Sequence, residues 1–175
     1  MRKTVINRVG KFEKVSENQF KIDMKSTFGE KYSDEEIERI YDNIKLPKRG
    51  TARSSGYDIR TTIDFKLDAG EEVKFPTGIR VAIDSGWWLM CIPRSGSGFK
   101  RVRLANSVGD VDEDYIDAEN EGHIWLKLTR DSSVNTTFTA KEGDAVCQGV
   151  FSQYGITYDD DADGVRVGGL GSTGR

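Results

Sequence analysis

Residues 109–115 read Gly-Asp-Val-Asp-Glu-Asp-Tyr (GDVDEDY) and place four carboxylates within seven positions. Apolar, strand-like runs flank this stretch, RVRLANSV at 101–108 and HIWLKL at 123–128. Like charges at such short spacing repel one another and destabilise the folded chain unless a cation, solvent or chemistry offsets the repulsion. The pattern therefore predicts a polar turn between two strands, with carboxylates that bind a cation, face solvent or take part in chemistry.

Short runs rich in β-branched and aromatic residues continue on both sides of this turn. They cover residues 57–63, 72–75, 78–83, 87–93, 101–108, 123–128, 136–140 and 145–154. Glycine-containing turn signals separate them, and no helical periodicity lies between them. Many short strands at this spacing are typical of an all-β sandwich, barrel or jelly roll.

The chain before this region has a different pattern. Ser16 with Gln19, and Ser33 with Glu36, each have the spacing of a capping box at a helix start. The second predicts a helix near residues 33–44, which Pro47 follows, and the first predicts a less regular helix. We therefore expect an N-terminal extension with one or two helices at 1–43, a β domain at 44–158, and a flexible C-terminal arm at 159–175.

Composition excludes several classes of protein. The chain has 175 residues and a net charge of −3, so it lacks the basic field of a nucleic-acid-binding protein. It has no signal-peptide pattern and no apolar run of membrane-spanning length, which predicts a cytoplasmic protein without membrane contact. Cys91 and Cys147 are then expected to be free thiols rather than a disulfide. The single histidine, His123, excludes Ser–His, Cys–His and multi-histidine zinc sites within one chain.

Two glycine-rich segments have the composition of phosphate-binding loops. Residues 93–98, PRSGSG, follow the apolar run WWLMCI, and successive backbone N–H groups beside an arginine can form an anion-binding nest. An ordinary Gly/Ser hairpin is the alternative interpretation. Residues 166–175, RVGGLGSTGR, repeat this chemistry without the GK[ST] ending of a P-loop. For this second segment, a disordered tail is the alternative.

The acidic stretch also has part of a calcium-loop pattern. Asp110, Asp112, Asp114 and Glu121 occupy positions 1, 3, 5 and 12 of such a loop. Position 6, however, is Tyr115 where the loop requires glycine, and the flanks are strand-like rather than helical. The sequence therefore does not support an EF-hand.

Five segments in chain order resemble the five motifs of the trimeric dUTPase family. They are SSGYDI (54–59), PRSGSG (93–98), NSVGDVDEDY (106–115), GDAVCQ (143–148) and RVGGLGSTG (166–174). The resemblance covers about residues 44–175. It implies a jelly-roll-like β-barrel with a short helical N-terminal extension, in a homotrimer whose three copies share three active sites. It also implies Mg²⁺-dependent hydrolysis of dUTP to dUMP and pyrophosphate, which keeps uracil out of DNA and supplies dUMP for thymidylate synthesis.

The resemblance assigns expected roles to individual residues of this chain. Asp112 matches the carboxylate that takes a proton from the attacking water, and Asp58 matches the one that meets Mg²⁺ through water. The residues matching the phosphate-binding groups are Arg94, Ser95, Gly96, Gln148, Arg166, Ser172 and Thr173. Those matching the uracil and deoxyribose contacts are Asn106, Gly109, Tyr115 and Leu170.

Three positions depart from the family pattern. Leu170 stands where the arm often carries an aromatic residue, Asp110 stands where an apolar residue is usual, and residues 116–122, IDAENEG, lengthen the turn after Tyr115.

The sequence leaves two alternative functions open. One alternative is a dCTP deaminase-like enzyme of the same fold. The other is a nucleotide-site protein that binds a regulatory partner through residues 1–43 or through the hairpin tip.

Overall fold

The computed structural model describes residues 6–169. Most of the regular structure is β. The strands are β1 (Gly10–Lys14), β2 (Lys48–Arg49), β3 (Tyr57–Arg60), β4 (Phe65–Leu67), β5 (Glu72–Pro76), β6 (Ile79–Ile83), β7 (Trp87–Pro93), β8 (Val102–Leu104), β9 (Gly109–Val111), β10 (Trp125–Arg130), β11 (Phe138–Ala140) and β12 (Ala145–Gln153). The α-helices are α1 (Glu17–Phe28), α2 (Asp34–Asn43) and α3 (Ser95–Phe99), and short 3-10 helices cover Gly29–Lys31 and Glu113–Asp117.

The strands of the described residues form four separate hydrogen-bonded sheets. The largest has the order β2-β3-β12-β7-β9, and the others are β5-β10-β8, β1-β6 and β11-β4. All of these pairs are antiparallel. The predicted all-β fold is therefore confirmed only as a mostly β one, and the strands described do not close into a single hydrogen-bonded barrel.

Both predicted helix starts before residue 44 form, but only the second has the predicted capping box, because the Gln19 side chain donates to Asp23 rather than returning to Ser16. The Ser16 hydroxyl accepts from the Gln19 N–H at 3.1 Å, and Ser33 and Glu36 form a complete capping box at the start of α2. Each such cap stabilises a helix by about 1 kcal/mol because it satisfies backbone N–H groups that lack a helical partner. The predicted helix at 33–44 corresponds to α2.

The N-terminal segment contributes directly to the hydrophobic core. Strand β1 pairs with β6 over its full length, with Phe12 opposite Val81. Strand β1, helices α1 and α2, and the loop between β1 and α1 all contribute side chains to the core. These side chains are Phe12, Val15, Phe20, Met24, Ile37 and Ile40. These side chains pack in the same cluster as the sheet residues, so this segment and the strands share one core.

The glycine-rich segment after β7 differs from the predicted turn. Residues Ser95–Phe99 form the short helix α3, in which the Gly98 N–H donates to the Arg94 carbonyl at 2.9 Å. Glycine has low helix propensity, but the surrounding structure regularly overrides propensity over one turn. Ser95 and Gly96 therefore lie in a first helical turn, whose N–H groups have no partner within the helix.

The structure also shows the state of the two cysteines and the length of the helices. Cys91 and Cys147 are free and buried, as the sequence predicts. Among the residues that the structure describes, no helix is both long and apolar enough to cross a bilayer.

Candidate active site

A cavity of about 600 Å³ lies beside the acidic stretch. Five of the predicted site residues line it: Asn106, Gly109, Asp112, Tyr115 and Arg166. Strand β9 begins at Gly109 and pairs with β7, and a Cβ at Gly109 would stand only 3.1 Å from the Cβ of Cys91. The glycine thus lets the backbone of this hairpin lie close to its neighbour. The cavity brings together the residues expected to bind the base and sugar with the expected water-activating carboxylate.

Arg166 holds two carboxylates of the acidic stretch. Its Nη2 donates to Asp112 Oδ2 and its Nε donates to Asp114 Oδ1 at 2.7 Å. The Arg166 side chain is 10% exposed, whereas that of Asp112 is 53% exposed. Burial alone would lower the pKa of Arg166, but the two carboxylates raise it above its usual value. Arg166 therefore lies against the acidic stretch, and its cation offsets part of the repulsion that the sequence predicts.

The Tyr115 ring is fixed at its hydroxyl end. The residue is 5% exposed, its hydroxyl donates to the His123 carbonyl at 2.9 Å, and it accepts from Asn120 Nδ2 at 3.1 Å. Burial raises the pKa of this phenol. The Arg166 guanidinium lies 5.6 Å from the ring centroid. Tyr115 is thus a neutral, immobilised ring at the cavity wall, which suits contact with a flat or apolar part of a ligand.

The neighbouring Asp110 has a raised pKa. Partial burial is the larger cause and the charge of Asp112 adds to it, while Arg166 acts in the opposite direction. The native state therefore binds this proton more tightly than the unfolded chain does. The contribution of Asp110 to stability then falls as pH rises from the ordinary aspartate pKa through the raised native one.

Replacing Asp110 with asparagine is expected to stabilise the protein at pH 7. Because Asp110 is only partly covered and more than a third of the residue is exposed, the gain in the free energy of unfolding should be less than about 1 kcal/mol after solvent screening. Below about pH 3.9, the ordinary value for aspartate, the gain should disappear. Urea unfolding of Asp110→Asn and wild type at pH 7 and pH 3 measures this. A variant less stable than wild type at pH 7 would contradict it.

A second group of predicted residues lies at the other end of the same sheet. Arg94 Nε donates to Asp58 Oδ1 at 2.8 Å, and Arg94 Nη1 donates to the Ala145 carbonyl at 3.0 Å. Arg94 and Gly96 line a separate cavity of about 240 Å³. Ser95 begins α3 next to them. This group has the cation and the free N–H groups that phosphate binding requires.

Gln148 belongs to the second group, and its side chain explains why a glycine stands at position 56 in the SSGYDI segment. Gln148 lies opposite Asp58 on β3, and its Nε2 donates to the Pro93 carbonyl at 3.4 Å. A Cβ at Gly56 would stand 2.4 Å from Gln148 Oε1. Gly56 therefore leaves the space that the Gln148 amide occupies.

One copy of the chain keeps the two groups apart. Val111 pairs with Leu89 on β7, so the next residue, Asp112, lies at the level of Trp88 near the start of β7. Arg94 instead comes directly after Pro93, the last residue of β7. The separation corresponds to six strand residues, or about 20 Å at about 3.3 Å per residue. Asp112 and Arg94 of a single chain therefore do not face the same phosphate.

The side chains around Asp58 suit a contact with a metal ion through a water molecule rather than a direct bond from the carboxylate to the metal. Within residues 6–169, no group of three or more His, Cys, Asp or Glu side chains is arranged to hold a metal ion. The Asp58 side chain is 26% exposed beside Arg94, so it can still accept from water. Mg²⁺ usually keeps several waters and binds through one or two carboxylates and substrate phosphates, and Asp58 fits that role.

Three predicted residues, Leu170, Ser172 and Thr173, lie outside the described residues. Conversely, the structure places two residues at the cavity that the sequence does not single out. Trp125 lines the cavity, and Lys74 Nζ lies 4.5 Å from its ring centroid. The strand signal at HIWLKL places Trp125 on β10, but only strand pairing brings it next to Lys74, because Trp125 pairs with Pro76.

Fold and site together define a mostly β protein with two regions on one sheet. A cavity lined by apolar side chains and by charges of both signs lies at a strand hairpin, and a turn that carries Arg94 lies at the far end of the same sheet. The comparisons with known proteins narrow this class. The family model described as dUTPase matches residues 42–174. The chain belongs to the dUTPase family.

Individual relatives agree with this membership. The deoxyuridine 5'-triphosphate nucleotidohydrolase of Lactococcus lactis is 34% identical over 135 residues, which cover 75% of this chain and 89% of the relative. The crystal structure of dUTPase from Streptococcus mutans aligns with a TM-score of 0.60 at 31% identity, covering 83% of this chain and 97% of that one.

A more distant structure shares the fold. A point mutant of the dUTPase from phage phi11 of Staphylococcus aureus, described with a structural Mg(II) ion, aligns with a TM-score of 0.56 at 18% identity. The alignment covers 70% of this chain and 92% of that one.

Proposed function

We infer that this chain is a dUTP nucleotidohydrolase that converts dUTP and water to dUMP and pyrophosphate. The observation that carries the inference is the cavity in which Asp112 lies beside Asn106, Gly109 and Tyr115, in a chain that belongs to the dUTPase family. The product dUMP serves thymidylate synthesis, and removal of dUTP keeps uracil out of DNA.

The proposed reaction is an attack of water on the α-phosphorus. The water oxygen forms a bond to that phosphorus, the bond to the bridging oxygen of the β-phosphate breaks, and pyrophosphate leaves. Asp112 takes the proton from the water, since its partly exposed carboxylate lies at the cavity wall, where a general base must stand. When bound, Mg²⁺ neutralises phosphate charge and makes the phosphorus easier to attack.

The remaining predicted residues bind and orient the substrate in this proposal. The hairpin at Asn106 and Gly109 binds the uracil edge through backbone and amide groups, and the Tyr115 ring lies against the deoxyribose. Arg94, Ser95, Gly96 and Gln148 bind phosphate oxygens, with Asp58 meeting the metal through water. Arg166, which now pairs with Asp112 and Asp114, moves to the phosphates with Ser172 and Thr173. Leu170 then covers the base.

The separation of the two residue groups supports a shared site. Because one copy places Asp112 about 20 Å along β7 from Arg94, a complete site needs Asp112 from one copy and Arg94 from another. We therefore include the homotrimer in the proposal.

The proposal also includes the domain organisation expected from the sequence. It comprises the jelly-roll-like barrel at residues 44–158, the arm at 159–175 and the extension at 1–43. The family match, which begins at residue 42, supports that boundary.

Pyrophosphate release from dUTP, dTTP, dCTP and UTP, with and without Mg²⁺, tests the function. We expect rapid release from dUTP alone, and a large loss when a chelator removes Mg²⁺. Ammonia release from dCTP is measured in parallel, since it would identify the deaminase alternative. The strand HIWLKL has no glutamate to relay protons at cytosine, so no ammonia is expected. A chain that releases no pyrophosphate from dUTP would overturn the proposal.

A further inference from the structure

The N-terminal helix α1 contacts the lengthened turn at 116–122 and also His123, the residue that follows the turn. At its start, the Ser16 backbone N–H and hydroxyl donate to the two carboxylate oxygens of Glu121 at 2.7 and 2.6 Å. Seven residues further on, Asp23 Oδ2 lies 2.5 Å from His123 Nδ1. The two parts of the chain that the family motifs leave unexplained, the N-terminal segment and the residues 116–122, are therefore joined to each other.

His123 is held on both ring nitrogens. It is completely buried, and its Nε2 accepts from the Gly78 N–H at 2.7 Å. A neutral imidazole has one donor and one acceptor nitrogen, so Nδ1 carries the proton and donates to Asp23. The Phe20 ring of α1 packs with its centroid 6.1 Å from the imidazole. Helix α1 thus fixes both the position and the orientation of this ring.

The same histidine anchors Tyr115. Its carbonyl oxygen accepts the Tyr115 hydroxyl at 2.9 Å. Between the two, Gly122 has φ +69, and a Cβ there would stand 2.7 Å from the Tyr115 carbonyl oxygen. The turn is packed this tightly against the tyrosine backbone, so a shift of His123 displaces Tyr115 as well.

We propose that Asp23 is a positioning residue for the reaction: through His123 it fixes the Tyr115 ring at the sugar and so sets the preference for deoxyribose over ribose. This inference rests on the function proposed above. A sugar pocket excludes a 2′-hydroxyl by steric contact, and that contact requires a ring that cannot move. If the histidine is no longer held, Tyr115 yields to the extra hydroxyl and UTP becomes a better substrate.

The Asp23→Ala variant tests the proposal by its selectivity. We expect the ratio of kcat/KM for dUTP to that for UTP to fall by about tenfold, a size typical for loss of a steric contact in a pocket. The change should come from a higher KM for dUTP and faster use of UTP, with kcat for dUTP close to wild type. Asp23→Asn keeps an acceptor for the histidine proton and should restore the ratio.

The matched control is Ile37→Ala. Ile37 is 1% exposed in α2 and belongs to the same core, so its truncation lowers stability as well. We expect the control to leave the dUTP/UTP ratio unchanged. If Asp23→Ala lowers the melting temperature but keeps the wild-type ratio, the contact is only structural and the proposal fails. If Asp23→Ala does not fold, Asp23→Leu, which is close to aspartate in size but cannot accept the histidine proton, takes its place and must lower the ratio in the same direction.

Hydrogen exchange separates this proposal from the proposed function. Under native conditions, without nucleotide, Asp23→Ala should accelerate amide exchange at residues 115–123 more than Ile37→Ala does. A wild-type protein that does not hydrolyse dUTP would overturn the proposed function, while this exchange result would still test the coupling of α1 to Tyr115. Equal acceleration in both variants would overturn the coupling.

Discussion

Replacing Asp112 with asparagine should lower the rate of pyrophosphate release from dUTP by about 10³-fold, the size expected for loss of a positioned general base. Asparagine has nearly the same shape, so the cavity and the Asn106–Gly109 hairpin should be kept. It cannot take a proton from water, and this lost step is the reason for the effect. Affinity for a non-hydrolysable imido analogue of dUTP should therefore change little.

Asp114→Asn is the matched control for this experiment. Arg166 pairs with both carboxylates, so each variant removes one ion-pair partner of the same guanidinium. Only Asp112 is proposed to take the proton, and Asp114→Asn should keep a turnover of the same order as wild type. Near wild-type turnover in Asp112→Asn, or equal losses in the two variants, would show that the base has been wrongly assigned.

Two inactive variants expressed together should restore activity. Asp112→Asn removes the proposed base, and Arg94→Gln removes the phosphate-binding cation, which should cost about 10²-fold or more by itself. If each site takes Asp112 from one copy and Arg94 from another, random mixing in a symmetric oligomer leaves about a quarter of the sites with both residues intact. The mixture should then be far more active than either variant alone.

A control mixture makes the result specific. Co-expression of Asp112→Asn with the double variant Asp112→Asn, Arg94→Gln supplies no intact Asp112 and should stay inactive. Pyrophosphate release per copy is the measurement, with the oligomeric state of each sample checked by light scattering. Activity of the first mixture no higher than that of its components would place both residues in a site formed within one copy, against the spacing of about 20 Å along β7.

The parts that the sequence predicts well depend on short-range signals. The capping patterns at Ser16 and Ser33 each lie within four residues, and both helix starts form, with the complete box at Ser33. Alternation and turn residues locate β5, β6, β7 and β12 closely, because a strand with one buried face is specified by neighbouring residues. The five motifs are also contiguous, so each candidate residue can be named from its immediate neighbours in the chain.

The parts that it does not predict depend on contacts between distant residues. Asp23 and His123 are separated by 100 positions, and Arg166 and Asp112 by 54. No local pattern connects such pairs, since only the fold brings them together. The helix α3 is a different case, because Gly96 and Gly98 locally favour a turn and the surrounding structure overrides that preference.

The contact between α1 and the turn at 116–123 also concerns how such a protein can change over evolution or in design. A chain with this turn but without the helix would lose the acceptor of the His123 Nδ1 proton, and a chain with the helix alone would lose the His123 donor of Asp23 and keep only Gln19 Nε2 as a side-chain donor. Neither segment can be gained or lost alone without this penalty. Residues 16–28 and 116–123 therefore form one heritable module, and a graft into a relative must carry both segments.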